Sequence, residues 1–256
     1  MATKLKNNWE FDVLGIYNYN NFGSFDGYLK FIKKNHKKIK GDLLEAGVFR
    51  GKSLLSIALY LKKIKSKKKI YAFDTWEGFP KNLKKNYYDE YDRWKDLLKL
   101  KMISKSHYED VLKNRKYVVF NKKVNKSKLN SFNLSTSGDF SSCSIKDIKR
   151  KIKFLKLDNI ILIKGPFSST MKQKKLQNLK LFSAIIDSDL YDSYKIALPF
   201  IWKRLQKKGI IFLDEYYSLK FPGARIACND FFKKNKIKPK MFKKRNHDFE
   251  RYYIEK

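Results

Sequence analysis

Five carboxylates stand at the ends of short apolar runs: Glu45 in DLLEAGV, Asp74 in KIYAFD, Asp187 in FSAIID, and Asp214 with Glu215 in GIIFLDE. Between the first two lies EAGVFRGKS, where Gly47 and Gly51 bracket the opening of an amphipathic run. Glycine there lets backbone approach a ligand closely, although G-x-x-x-G alone is equally a plain turn. An acid that ends the next run, as Asp74 does, is placed where a carboxylate accepts the hydroxyls of a ribose. The chemistry so indicated is the holding of a nucleoside-bearing cofactor, either a dinucleotide or S-adenosylmethionine. The turn lacks the second closely spaced glycine of G-x-G-x-x-G and the spacing of a P-loop, so phosphoryl transfer loses its support. A sulfonium cofactor, with no phosphate to cradle, suits it better.

Positioning these acids requires strands that alternate with helices. The order reads strand 42–48, helix 51–64 and strand 69–74, then helix 144–155, strand 159–165, a helix in SSTMKQKKL, strand 182–187, helix 193–205 and strand 209–215. GARIACNDFFKK follows as a helix, and KPKMF and RYYIE as two short strands. Ahead of them DGYLKFIKKNH puts Tyr28, Leu29 and Ile32 on one helical face. Such alternation predicts an α/β fold with a mostly parallel sheet covered on both faces, and ligands beyond the carboxyl ends of its strands. The five acids would then converge on one edge. Asp189 and Asp192 are expected to cap and charge the helix that follows them. One domain is expected, with a helical extension over about 1–40 and a lid or insertion over about 75–135. The latter holds helical patterns in YDEYDRWKDLLKL and SHYEDVLKN and a strand-like KYVVF.

The chain has 256 residues, 43% hydrophobic and 16% aromatic, which excludes a disordered polymer. Its formal charge of +34, from 59 basic against 25 acidic residues, raises nucleic acid or an anionic membrane as partner. Arginine, whose planar fork reads bases and clamps phosphate, stands only at 50, 93, 115, 150, 204, 225, 245 and 251. Lysine is spread through every segment, as expected of solvated helix faces in a compositionally biased chain. Nucleic acid is therefore not the expected partner. Cys143 and Cys228 make no disulfide framework and have no neighbours at metal-ligand spacing. With no apolar leader in MATKLKNNWEFDVLG and no run long enough to span a bilayer, a cytoplasmic protein is expected. His36, His107 and His247 stand alone and read as surface or lid residues.

GDLLEAGVFRGKS, YAFDTWEGFP, ILIKGPFSST, IIDSDLYDSYKIALPFIWKRLQKKGIIFLDEYYS and PGAR, in that order over roughly residues 40–235, resemble the macrocin O-methyltransferase family. These are class I S-adenosylmethionine-dependent enzymes. The resemblance implies a Rossmann-like, seven-stranded methyltransferase sheet, a divalent metal, usually magnesium, and methylation of a sugar hydroxyl on a glycan or natural product. It lays the cofactor turn on Glu45, Gly47 and Gly51, with Arg50, Ser53 and Thr75 as further contacts. The ribose carboxylate falls on Asp74 and the adenine-side loop on Asp139, Phe140 and Ser142. The metal ligands fall on Asp187, Asp214 and Glu215, and Asp187 is also the candidate base. Magnesium takes hard oxygen ligands, which this set supplies. Glu215 departs from the family's paired aspartates, and its extra methylene would shift the ion or favour a water-bridged contact. Arg50 serves either the cofactor's methionine carboxylate or a neighbouring acid. The resemblance leaves homo-oligomerisation open, and the chain lacks the [DN]-P-P-[YF] tetrapeptide of enzymes that methylate exocyclic base nitrogens.

Overall fold

The computed structural model describes residues 5–21, 23–80, 86–243 and 249–256; His247 lies outside them. The apolar runs form β1 (Asp42–Ala46), β2 (Ile70–Asp74), β3 (Ile160–Lys164), β4 (Leu181–Ile186) and β5 (Leu205–Leu213), followed by the short β6 (Lys240–Met241) and β7 (Tyr252–Glu255). They make one sheet in the order β3-β2-β1-β4-β5-β7-β6. The first five strands run parallel and β7 pairs antiparallel with β5. Because β1, β2, β4 and β5 point the same way, the acids at their ends reach one edge.

Both faces are covered. Helices α1 (Asn8–Leu14), α2 (Asp26–Asn35), α3 (Lys52–Lys63) and α6 (Ile145–Phe154) pack on one side, where Ile32, Leu54, Leu61 and Phe182 are fully enclosed. On the other lie α7 (Phe167–Thr170), α8 (Tyr191–Arg204) and α9 (Pro222–Asn235), enclosing Ala184, Ile186, Leu198 and Leu213. Burial of each large aliphatic side chain contributes about 1.5–3 kcal/mol. The N-terminal segment belongs to the first layer: Phe11, Ile16 and Tyr19 are buried, Phe25 stacks on Phe212 at 4.9 Å, and Tyr28 shares a 2.8 Å hydroxyl hydrogen bond with Ser183 in β4. No helix among the described residues is long and apolar enough to cross a membrane.

Between β2 and α6, α4 (Arg93–Lys99) and α5 (Lys105–Lys122) close a small core of Tyr91, Trp94, Leu97, Ile103, Val111 and Leu134. KYVVF is helical, not a strand. Ser104 caps α5 by accepting the His107 N–H at 3.1 Å, and the helix runs on to Lys122, burying Val118 while Tyr117 and Phe120 face solvent. An apolar run this short has no period that separates strand from helix. His107 is likewise a core residue, stacked on Tyr217 at 4.0 Å with its Nε2 2.7 Å from the Ser218 carbonyl. The helix in SSTMKQKKL ends at Thr170 and gives way to a 3-10 turn over Lys174–Leu176.

A second correction concerns α8. Asp189 does not cap it; the backbone there is left-handed (φ 61°), and Leu190 is the cap residue, without a side-chain hydrogen bond. The Tyr191 N–H donates instead to Asp89 Oδ1 at 2.8 Å, from 102 residues away in sequence. Asp192 does lie in the first turn, where it accepts a 2.9 Å hydrogen bond from Asn86.

Candidate active site

At the tip of β1, Gly47 takes φ 89° and donates its N–H to the Phe73 carbonyl at 3.0 Å. A Cβ on it would lie 1.7 Å from the Asp187 carbonyl oxygen, so only glycine lets the tips of β1 and β4 pack this closely. Gly51, with φ 76°, opens α3, and a Cβ there would come within 2.6 Å of Ile148 Cδ1. Between them the N–H groups of Val48 and Phe49 donate to Asp74 Oδ2 at 2.7 and 2.8 Å, and the Trp76 N–H donates to Oδ1 at 2.6 Å. Asp74 therefore braces the glycine turn. A carboxylate has about four acceptor positions, and three backbone donors engage Asp74 here.

Glu45 is buried behind this turn. Its Oε1 accepts the Ser53 hydroxyl at 2.6 Å and its Oε2 has no partner among the described residues. Enclosure pushes its carboxyl up to about 8, against the Ser53 hydrogen bond and helped by the charges of Asp187 and Asp74. An orphaned, enclosed carboxylate oxygen is a fit for a cationic amine. The folded chain holds the Glu45 proton at pH values where the unfolded chain has released it, so stability falls as pH climbs from about 4.5 towards about 8. Glu45→Gln removes that loss. Thermal melts should show the variant level with wild type near pH 4.5 and several degrees more stable at pH 8.5, while calorimetry shows weaker binding of S-adenosylhomocysteine.

The loops after β2 and before α6 lock together. A Cβ on Gly78 would lie 2.7 Å from the Asp139 carbonyl oxygen, the Phe79 N–H donates to that oxygen at 2.8 Å, and Thr75 Oγ1 donates to the Gly78 carbonyl at 3.0 Å. Arg50 pairs with no neighbouring acid among the described residues: its Nε and Nη2 donate to the carbonyl and hydroxyl of Ser142 at 2.8 and 2.9 Å, tying this loop to the glycine turn. The Asp139 carboxylate turns onto Ser141, whose hydroxyl and N–H donate at 2.6 and 3.0 Å and hold its pKa below the usual range. Phe140 packs edge-on to Phe49 at 5.1 Å and tilts against Phe79 at 5.0 Å.

These parts enclose a cavity of about 650 Å³. Its wall includes Gly47, Arg50, Ser53, Asp74, Thr75, Phe140 and Asp187 of the expected residues; Glu45, Gly51, Asp139, Ser142, Asp214 and Glu215 stand outside that wall. Tyr17, Phe25 and Phe49 also line it and escaped the sequence reading; Phe79 and Pro80 of the loop after β2 line it too. Aromatic residues in loops carry no period to mark them.

Asp187 joins this wall to an acidic cluster: ligand oxygens of Asp187, Asp214 and Glu215 lie within 4.8 Å of one another. The Asp187 N–H, bonded to the Ala46 carbonyl at 2.9 Å, fixes the first, and a single 3-10 turn after β5 carries the other two. Enclosure, then the charge of Asp214, pushes the Asp187 carboxyl up to about 7, opposed by a hydrogen bond with Glu215 and by Arg251. Enclosure and the neighbouring aspartates hold Glu215 well above its ordinary value. The Tyr194 hydroxyl stands 2.5 Å from Glu215 Oε2 and 2.8 Å from the Ile186 carbonyl oxygen. Arg251 Nη1 donates to Asp214 Oδ1 at 2.9 Å. Asp187 and Glu215 resist ionising side by side, and with Asp214 they offer three oxygen donors that fit a hard divalent cation.

The model of the macrocin O-methyltransferase (TylF) family matches residues 29–128 and 130–247. Among solved structures, the O-methyltransferase NovP is similar at 18% identity, over 90% of this chain and 79% of that one, with a TM-score of 0.61. The calicheamicin methyltransferase CalS11 is similar at 17% identity, over 97% and 80%, with a TM-score of 0.62. An apo structure of CalS11, described as a TDP-rhamnose 3'-O-methyltransferase, gives 18%, 97%, 80% and 0.52. At these identities the likeness is one of fold. No curated protein sequence matches the chain.

Proposed function

The chain belongs to the macrocin O-methyltransferase family and is an S-adenosylmethionine-dependent O-methyltransferase, and from that premise we propose that it methylates a sugar hydroxyl of a glycan or natural product, with magnesium held by Asp187, Asp214 and Glu215. The observation that carries this reading is the meeting of three carboxylate oxygens within 4.8 Å at the sheet edge that also bears the glycine turn. Sugar as the acceptor class draws further support from CalS11, described as a methyltransferase of TDP-rhamnose.

The cofactor supplies an electrophilic methyl group, and the ion supplies positive charge that stabilises an acceptor alkoxide. The chain's own residues do the rest. Glu45 Oε2 accepts from the cofactor's ammonium, and Asp74 offers its remaining acceptor position to a ribose hydroxyl. Phe49 and Phe140 present ring faces and edges to the adenine. Asp187 takes the proton of the attacking hydroxyl; a carboxylate there, beside both cofactor turn and cluster, serves as general base. Residues 86–135 build the acceptor side as a lid, within a single catalytic domain working in the reducing cytoplasm, where Cys143 and Cys228 stay free.

Isothermal titration calorimetry with S-adenosylhomocysteine, with and without magnesium chloride, tests this reading. The expected result is saturable binding of the nucleoside and a separate heat for magnesium. Absence of any nucleoside binding would overturn the proposed function.

A further inference from the structure

We propose that Arg251 is a built-in counter-ion of the acidic cluster, which a divalent cation must displace from Asp214, so that occupancy of the metal site is set by competition between guanidinium and ion. This rests on the reading of Asp187, Asp214 and Glu215 as metal ligands.

The pairing is built by the sheet. β7 runs antiparallel to β5 with Leu213 opposite Tyr252, which brings the next residue of one strand, Asp214, against the preceding residue of the other, Arg251. The resulting Nη1 to Oδ1 contact is 2.9 Å, between side chains only 18% and 25% exposed. Water screens such a pair poorly, so the charge of Arg251 is felt by the whole cluster. Its hold is also incomplete: Arg251 Nε is buried without a partner among the described residues, while Nη1 donates to Asp214 Oδ1 and Cζ lies 5.9 Å from the Phe249 ring centroid. A cation carrying two charges and preferring carboxylate oxygens is the competitor this geometry invites. The opposite arrangement, in which Arg251 stays on Asp214 and steadies it as a ligand, makes the reverse prediction.

Calorimetric titration of the full chain with manganese chloride or magnesium chloride alone, without cofactor, separates the two. Arg251→Gln is expected to bind either ion about tenfold more tightly than wild type. Its melting temperature should fall in EDTA and recover on adding magnesium by more than wild type gains. Arg251→Lys, which keeps the charge but loses the planar fork, covers the case in which the glutamine variant does not fold; it should bind the ion more tightly by a smaller factor. Equal or weaker binding by the variants, with wild-type binding intact, overturns the counter-ion role alone. If neither wild type nor variants bind the ion, the metal assignment itself fails and the role of Arg251 with it.

Discussion

Asp187→Asn lowers methyl transfer by about three orders of magnitude or more while S-adenosylhomocysteine binding stays within a few-fold of wild type. The substitution keeps the size of the side chain, and the backbone N–H of residue 187 keeps its 2.9 Å bond to Ala46, so the tips of β1 and β4 stay joined. What disappears is the charge. A positioned general base contributes typically 10²–10⁴-fold, and the amide is also a poor ligand for a hard cation. The contacts proposed for the cofactor, through Glu45, Asp74 and the aromatic rings, keep their side chains. Transfer of label from S-adenosylmethionine to a panel of free and nucleotide-linked sugars, run beside calorimetry, reads both quantities. Activity within tenfold of wild type would remove Asp187 from the chemistry.

Gly47→Ala has the largest expected effect on the fold. Two costs coincide: φ 89° is a conformation that side chains avoid, and the new Cβ would sit 1.7 Å from the Asp187 carbonyl oxygen. Backbone cannot rotate out of the way as a side chain does, so the tips of β1 and β4 must separate. Strain combined with overpacking costs about 3–5 kcal/mol, which for a chain of this length lowers the melting temperature by about 10 °C. Cofactor binding is lost along with the turn. Gly138→Ala is the control, since its φ of 62° carries the conformational cost but its Cβ would meet nothing closer than 3.8 Å. If differential scanning calorimetry finds the two variants equally stable, close packing at the strand tips is not what requires Gly47.

The frame of the site is legible in sequence because it depends on local pattern. Apolar runs ending in acid become parallel strands, and parallel strands align their ends; that alone gathers Asp74, Asp187, Asp214 and Glu215. Gly47 and Gly51 are legible for the same reason, since a strand-to-helix turn needs a left-handed backbone. The partners are not legible. Asp74 is engaged by N–H groups of Val48, Phe49 and Trp76, and backbone donors look alike at every position of a sequence. Arg251 meets Asp214 only through the register of β7, and RYYIE shows that it is a strand without showing which strand it joins. KYVVF failed for a related reason: its apolar residues promise burial, whereas the cap at Ser104 and the length of α5 decide the outcome.

The capping of α8 by Asp89 has a bearing on how such enzymes diversify. The acid comes from the segment proposed to close the acceptor side, binds the N-terminus of the helix that follows Asp187, and occupies space left by Gly223 in α9, where a Cβ would lie 1.9 Å from Asp89 Oδ1. Three separate stretches of chain thus share one junction. Exchanging the acceptor segment with that of a relative, whether in a laboratory chimera or over evolutionary time, succeeds only if residues 89 and 223 travel as a pair. A crossover point placed between them would deliver new specificity on a helix without its cap, and the sensible seams lie before Asp89 and after Gly223.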